Sequence, residues 1–199
     1  MKREEAYKIL TTYLKNANLI KHCLAAETAM KGLCIYLNPN ASSEEIEKWG
    51  ITGLLHDADY EIYDGNPAKH GMVITEKVEL PKDIAHAINS HNFQNTGVEP
   101  ESPMDWAITC ADQLTGLIVA CALVHPARNA SASVAGEPEK KLEPLTPEFV
   151  LKRLGEKAFA RGADRSVISL CEEKLGIPLD KFIEIVLSSM KDISADLGL

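Results

Sequence analysis

One carboxylate constrains this chain more than any other residue. Asp112 stands inside the apolar stretch Trp106 to Val124, and its own helical surroundings offer it no positive partner. Burying an unpaired charge costs several kcal/mol or forces the group to take up a proton, so a residue in this setting calls for a cation. Well upstream, Leu54-Leu55-His56-Asp57-Ala58-Asp59 sets an imidazole and a carboxylate side by side at the end of an apolar run. Both are good ligands for a borderline divalent metal, but two adjacent residues cannot complete a site. Further donors must come from elsewhere, and His22, His70 and His91 are available.

The segments carrying these residues all read as helices. Tyr7, Leu10 and Leu14 recur at helical spacing over residues 3 to 15. Asn18 is suited to cap a second helix over about Leu19 to Leu37, with His22 in its first turns and Ala25, Ala26 and Ala29 permitting close approach of a neighbour. Asn38-Pro39-Asn40 breaks it, and Ser42-Ser43-Glu44-Glu45 opens a third helix that ends near His56-Asp57. A fourth is expected over about Pro67 to Leu80 with His70 in its first turn, and a short fifth from Pro81 to near His91. After a loop over Asn92 to Ser102, Ser102-Pro103-Met104-Asp105 is a strong start for a long helix that His125-Pro126 ends. Residues 128 to 145 have weak periodicity and read as a surface loop, a candidate active-site flap; helices resume over 146–154, 164–175 and 179–197. No strand pattern and no internal repeat is found. The expected fold is all-α, one compact helical bundle over residues 1–199 with its motif-bearing core at about 19–125.

The composition suits a soluble globular chain, 45% hydrophobic and 25% charged. A net charge of −8 argues against nucleic acid or an acidic membrane as partner, and leaves metals as the means of attracting an anionic substrate. The longest purely apolar run, Leu117 to Val124, is too short to span a bilayer. Cys23, Cys34, Cys110, Cys121 and Cys171 lie in apolar helical contexts with no Cys-x-x-Cys pair, and the N-terminus is charged. Buried free thiols and a cytoplasmic location are the expectation. Oligomeric state is not legible.

The order His22, His56-Asp57, His70, His91, Asp112 resembles the HD superfamily of metal-dependent phosphohydrolases, over roughly residues 19 to 125. The dipeptide alone carries little; the ordered set on helices carries the resemblance. It implies that His22, His56, Asp57 and Asp112 hold one metal and that His70 and His91 serve a second, with Asp57 bridging. One or two divalent transition metals per chain are then expected, iron or manganese first, with nickel, cobalt or zinc as alternatives. The implied activity is hydrolysis of a phosphoester or phosphoanhydride, of a nucleotide by preference, through a metal-held hydroxide, with Asp57 as the catalytic residue. The same ligands also resemble those of HD-type di-iron oxygenases, and a non-catalytic metal- or nucleotide-binding module is a third possibility. Position 60 is Tyr where the cyclic-dinucleotide phosphodiesterases of the superfamily carry Lys, and their Gly-Tyr-Pro signature is missing, which argues against that substrate.

Other residues have blander expectations. His86 and His91 lie five apart, roughly 140° around a helix, so both cannot face one centre, and His86 is taken as a core or supporting residue. His125 reads as a helix-end residue. Asp59 is expected only to solvate the turn, so that its loss leaves at least roughly a tenth of activity. Arg153, Lys157, Arg161 and Arg165 recur every four positions and, if helical, would form a stripe suited to substrate phosphate.

Overall fold

The computed structural model describes residues 1–129 and 141–199, and no β-strand occurs among them. The chain opens with α1 (Arg3–Tyr13), α2 (Ala17–Leu37) and α3 (Ser43–Leu55). A 3-10 turn (Pro67–Lys69) then precedes α4 (Met72–Lys77), α5 (Lys82–Ser90) and the one-turn α6 (Phe93–Thr96). The long α7 (Pro103–Val124) follows, with a 3-10 turn (Pro126–Asn129) behind it. After the undescribed segment come α8 (Pro147–Leu154), α9 (Arg165–Leu175), α10 (Leu179–Lys191) and α11 (Ser194–Leu197).

Local chemistry sets most of these boundaries. Ser102 and Asp105 close a reciprocal capping box on α7, Asp164 caps α9 through Ser166 and Val167, and Gly176 ends α9 in the left-handed conformation. Ser42 caps α3 through the Glu45 amide. The cap of α2 is Asn16 and not Asn18: its side chain accepts from the amides of Asn18 and Leu19, so the helix begins two residues earlier than expected. The expected fourth helix is also broken. His70 has an extended backbone and Gly71 lies at φ +89°, so the chain turns sharply before α4 begins. The expected loop over 92–102 contains α6, closed by Gly97.

α7 runs through the centre of the larger core, against α2, α5, α8, α9 and α10, while α2 also packs on α3 and α10. By length and composition α7 is apolar enough to cross a membrane, although its apolar run alone is short; here most of its side chains are buried against the surrounding helices, while Leu123 and Val124 at its end are exposed. The apolar stripe of α10, Phe182, Ile183, Val186, Leu187 and Met190, is buried in the same core against α2, α8 and α7, each side chain contributing about 1.5–3 kcal/mol before chain entropy is counted. A second cluster joins α1 to α3 and α5 through Leu10, Leu14, Leu54, Leu55 and Ile88. All five cysteines are buried and unpaired. The flap expected over 128–145 falls largely on residues 130–140, outside the described residues; its far end is no surface loop, because Leu142 and Leu145 are buried in the core.

The contact between α2 and α3 builds the site. Ala25, Ala26 and Ala29 of α2 are buried, and a Cβ placed on Gly53 of α3 would lie 2.4 Å from the Ala26 carbonyl oxygen. Only glycine lets the two backbones meet there, and the contact carries His22 and His56 to each other.

Candidate metal centre

Six side chains from five parts of the chain converge. His22 comes from the second turn of α2, His56 and Asp57 from the end of α3, and Asp112 from the interior of α7. His70 lies at the break before α4, and His91 caps the C-terminus of α5. Their donor atoms form two groups that share Asp57. His22, His56, Asp57 and Asp112 make one, and Asp57, His70 and His91 the other, with the donors of each within 4.8 Å of one another. In the first, His22 Nε2 lies 2.9 Å from Asp112 Oδ1 and 3.4 Å from Asp57 Oδ2. His56 Nε2 lies 3.4 Å from Asp112 Oδ1. In the second, Asp57 Oδ1 lies 3.0 Å from His70 Nε2 and 3.6 Å from His91 Nε2. One carboxylate thus turns one oxygen toward His22 and the other toward the His70–His91 pair.

Every one of the four imidazoles has its outer nitrogen engaged. The Nδ1–H of His56 donates to the Gly53 carbonyl at 2.8 Å, and that of His91 to the Ile88 carbonyl at 2.6 Å. His70 donates through Nδ1 to Asp59 at 3.0 Å. The Thr115 hydroxyl gives its proton to the Asp112 carbonyl, which leaves its oxygen to accept from His22 Nδ1 at 3.3 Å. These bonds select the tautomer whose Nε2 lone pair faces inward, the arrangement a metal-ligating histidine needs. The donor set fits a transition metal: neutral imidazole nitrogens with carboxylate oxygens suit iron, manganese, cobalt, nickel or zinc better than calcium.

The electrostatics fit as well. Burial opposes the charged form of Asp57, but His56, His70 and His91 outweigh it and hold the carboxyl well below the usual range. Asp112 is likewise held low, against burial, by His22 and His56. Burial also works against a charged His56, yet Asp57 and Asp112 lift it to about 9. The same contest at His70, won by Asp57 and Asp59, lifts it to about 10. Without metal, protons on these imidazoles neutralise the carboxylates; a divalent cation would take their place.

Three supporting residues escaped the sequence reading. Asp59 does not solvate a turn: it is fully buried and accepts from His70, from the Gly71 amide at 2.9 Å and from the Ile74 amide at 3.2 Å. Thr115 orients His22 as described. Gln113 donates through Nε2 to Asp112 Oδ2 at 2.8 Å and accepts the Asp164 amide at 2.9 Å, tying Asp112 to the start of α9. Asp59 had a faint signal, an acid two residues from a ligand and closely followed by aromatics. Gln113 and Thr115 had none beyond proximity to Asp112.

The bystander histidines stay outside. His86 faces Asp105 at 2.9 Å, and His125 ends α7 with its ring against Phe149. The basic residues do not form a helical stripe, since the chain between α8 and α9 is irregular. Arg153 pairs with Glu156 and stacks on Phe159 with 3.8 Å to the ring centroid. The Arg165 guanidinium is spent on backbone carbonyls, those of Leu154, Glu156, Phe159, Ala160 and Ala163, and so organises the 155–163 loop. Lys157 and Arg161 are exposed. On the second group's side, the rings of Tyr60 and Tyr63 lie against His70 at centroid distances of 5.3 and 5.1 Å.

Residues 19–117 match the family model described as HD domain. No curated protein and no solved structure matches the chain.

Proposed function

The chain belongs to the HD domain family, and from that premise we propose that it is a metal-dependent phosphohydrolase acting on a phosphoester or phosphoanhydride of a nucleotide. The observation that carries the reading is the position of Asp57 between two donor groups, its two oxygens turned toward different histidines. His22, His56, Asp57 and Asp112 would hold one metal, and Asp57, His70 and His91 a second. Such ions, when bound, supply acidity that ionises water near neutral pH and positive charge that neutralises phosphoryl oxygens.

The chain's own residues do the rest. Asp57 joins the two groups, so its loss should remove both binding and turnover. Asp59, Thr115 and the Gly53 and Ile88 carbonyls keep the inward nitrogens unprotonated once metal displaces the protons. Gln113 restrains the Asp112 oxygen that faces away from His22. A cavity of about 270 Å³ beside His22 and Asp112, walled by Gln113, Gly116, Ala160 and Ala163, gives a substrate access to this edge.

Metal analysis combined with phosphate release tests the proposal. Protein loaded with manganese or iron should hold up to two ions per chain and release phosphate from nucleotides. His91→Ala should lose one ion and keep the other, and Asp57→Ala should be inactive while still folded. Loaded protein that releases no phosphate from any nucleotide would overturn the proposal, and substrate-dependent consumption of dioxygen by that protein would replace it with an oxygenase.

A further inference from the structure

Gly116 has no part in the ligand set, yet it sits one turn beyond Asp112 on the most apolar helix of the chain. Glycine inside a helix costs about 1 kcal/mol relative to alanine, so the position is expensive unless something uses the space. The space is real: a Cβ built on Gly116 would meet nothing within 4 Å. Two cavities meet at this residue. The first, about 270 Å³, is the one beside Asp112. The second, about 460 Å³, has an aliphatic wall of Val119, Leu123 and Leu197, with Lys21 and Lys141 at its rim. Both are lined by His22 and Gly116, so a molecule held beside Asp112 and extending over the bare backbone at Gly116 would reach the aliphatic hollow. The second by itself lies within the range of about 300–1,000 Å³ usual for small-ligand sites, and the first falls just below it.

We infer that the organic body of the substrate lies across Gly116, its phosphate at the His22–Asp112 end, and that Gly116 determines specificity for phosphomonoesters with a nucleoside-sized body. The inference rests on the phosphohydrolase reading and adds to it the direction in which the substrate leaves the metals. Aliphatic walls fit an organic body and give nothing to a chain of further phosphates. Lys21 can donate to an acceptor on that body from the rim. A polyphosphate would leave the other way: the open hollow lined by Lys157 and Arg161 shares Gly162 and Ala163 with the cavity beside Asp112.

Gly116→Leu is the decisive variant, because leucine is a better helix former than glycine, its Cβ meets nothing within 4 Å, and the rest of its side chain would occupy the space over the backbone. Its metal content should match that of the wild type, and its melting temperature should be equal or higher. With manganese-loaded protein, KM for the best of the common nucleoside monophosphates should rise by roughly tenfold or more with kcat changed less, the pattern of lost ground-state binding. Phosphate release from methyl phosphate, which has no body to place, should change by less than about twofold. Lys21→Ala should raise the nucleotide KM more weakly. An unchanged nucleotide KM in Gly116→Leu, or equal losses on nucleotide and methyl phosphate, overturns the inference alone and leaves the hydrolase intact. A rise in KM confined to Lys157→Ala and Arg161→Ala, seen with nucleoside triphosphates, overturns it in favour of the polyphosphate exit. Loaded wild-type protein inactive on every phosphoester removes the hydrolase reading, and this inference with it.

Discussion

At Asp59 a single buried carboxylate satisfies an imidazole and two backbone amides. Removing one partner from such a network leaves orphaned donors, at about 1–3 kcal/mol each. Asp59→Ala should therefore lower the urea midpoint and weaken the second metal by roughly 10- to 100-fold, the scale on which residues behind a ligand act. The first metal should remain. Metal titration of the variant against a competing chelator checks this, and two ions held at wild-type affinity would show that Asp59 has no part in holding the second ion. The contrast with Asp57 is one of place along the path of charge: Asp57 faces the donors, whereas Asp59 holds one of them from behind.

Between α2 and α3, register depends on a glycine that cannot be enlarged. With Ala26 carbonyl atoms at 2.4 and 2.6 Å and the Glu27 amide at 2.8 Å from a Cβ on Gly53, alanine there meets backbone, which cannot swing aside. The helices must part, at a cost of about 1–3 kcal/mol typical of overpacking. Because the Gly53 carbonyl also receives the His56 Nδ1–H, the shift travels directly into the first donor group. Gly53→Ala should lower the urea midpoint and weaken the first metal more than the second. Gly116→Ala, on the open side of α7, should leave stability unchanged or raise it by up to about 1 kcal/mol. Equal effects of the two substitutions in equilibrium unfolding would contradict this account of the α2–α3 contact.

For the molecule as a whole, the paired clusters link stability, pH and metal. His56 and His70 titrate near 9 and 10 in the folded metal-free protein, against 6.5 for an ordinary histidine. Raised values mean that their contribution is fully present below pH 6.5 and is lost as pH climbs through 9 to 10. The low values of Asp57 and Asp112 act in the opposite sense, adding stability above the ordinary carboxylate range and losing it in acid. Metal uptake must expel the imidazole protons, so apparent affinity should rise about tenfold per pH unit for each proton displaced between neutrality and pH 9. Melts of chelator-stripped protein should thus fall with rising alkalinity while metal affinity increases. Affinity that levels off at the ordinary histidine range would show that these imidazoles are neutral before metal arrives.

What could be read along the chain was whatever depends on neighbours in sequence or on chemical type. Caps and periodicity placed α7, α9 and the all-α class, and the burial problem at Asp112 together with the order of histidines brought out the donor residues. Where local signals competed, they misled: Asn18 yielded the cap to Asn16, and Pro67 began only a 3-10 turn, because the Asp59 carboxylate captures the amides of Gly71 and Ile74 and bends the chain at His70. The evenly spaced arginines and lysines suggested a stripe, but Arg165 is turned inward to five carbonyls of the α8 end and the irregular loop after it. Such choices belong to the tertiary structure. A hydrogen-bonding group takes the best acceptor that folding brings near it, and the residues that brought Asp59 to His70, Thr115 to His22 and Gln113 to Asp164 are the ones that pack the helices, many positions away.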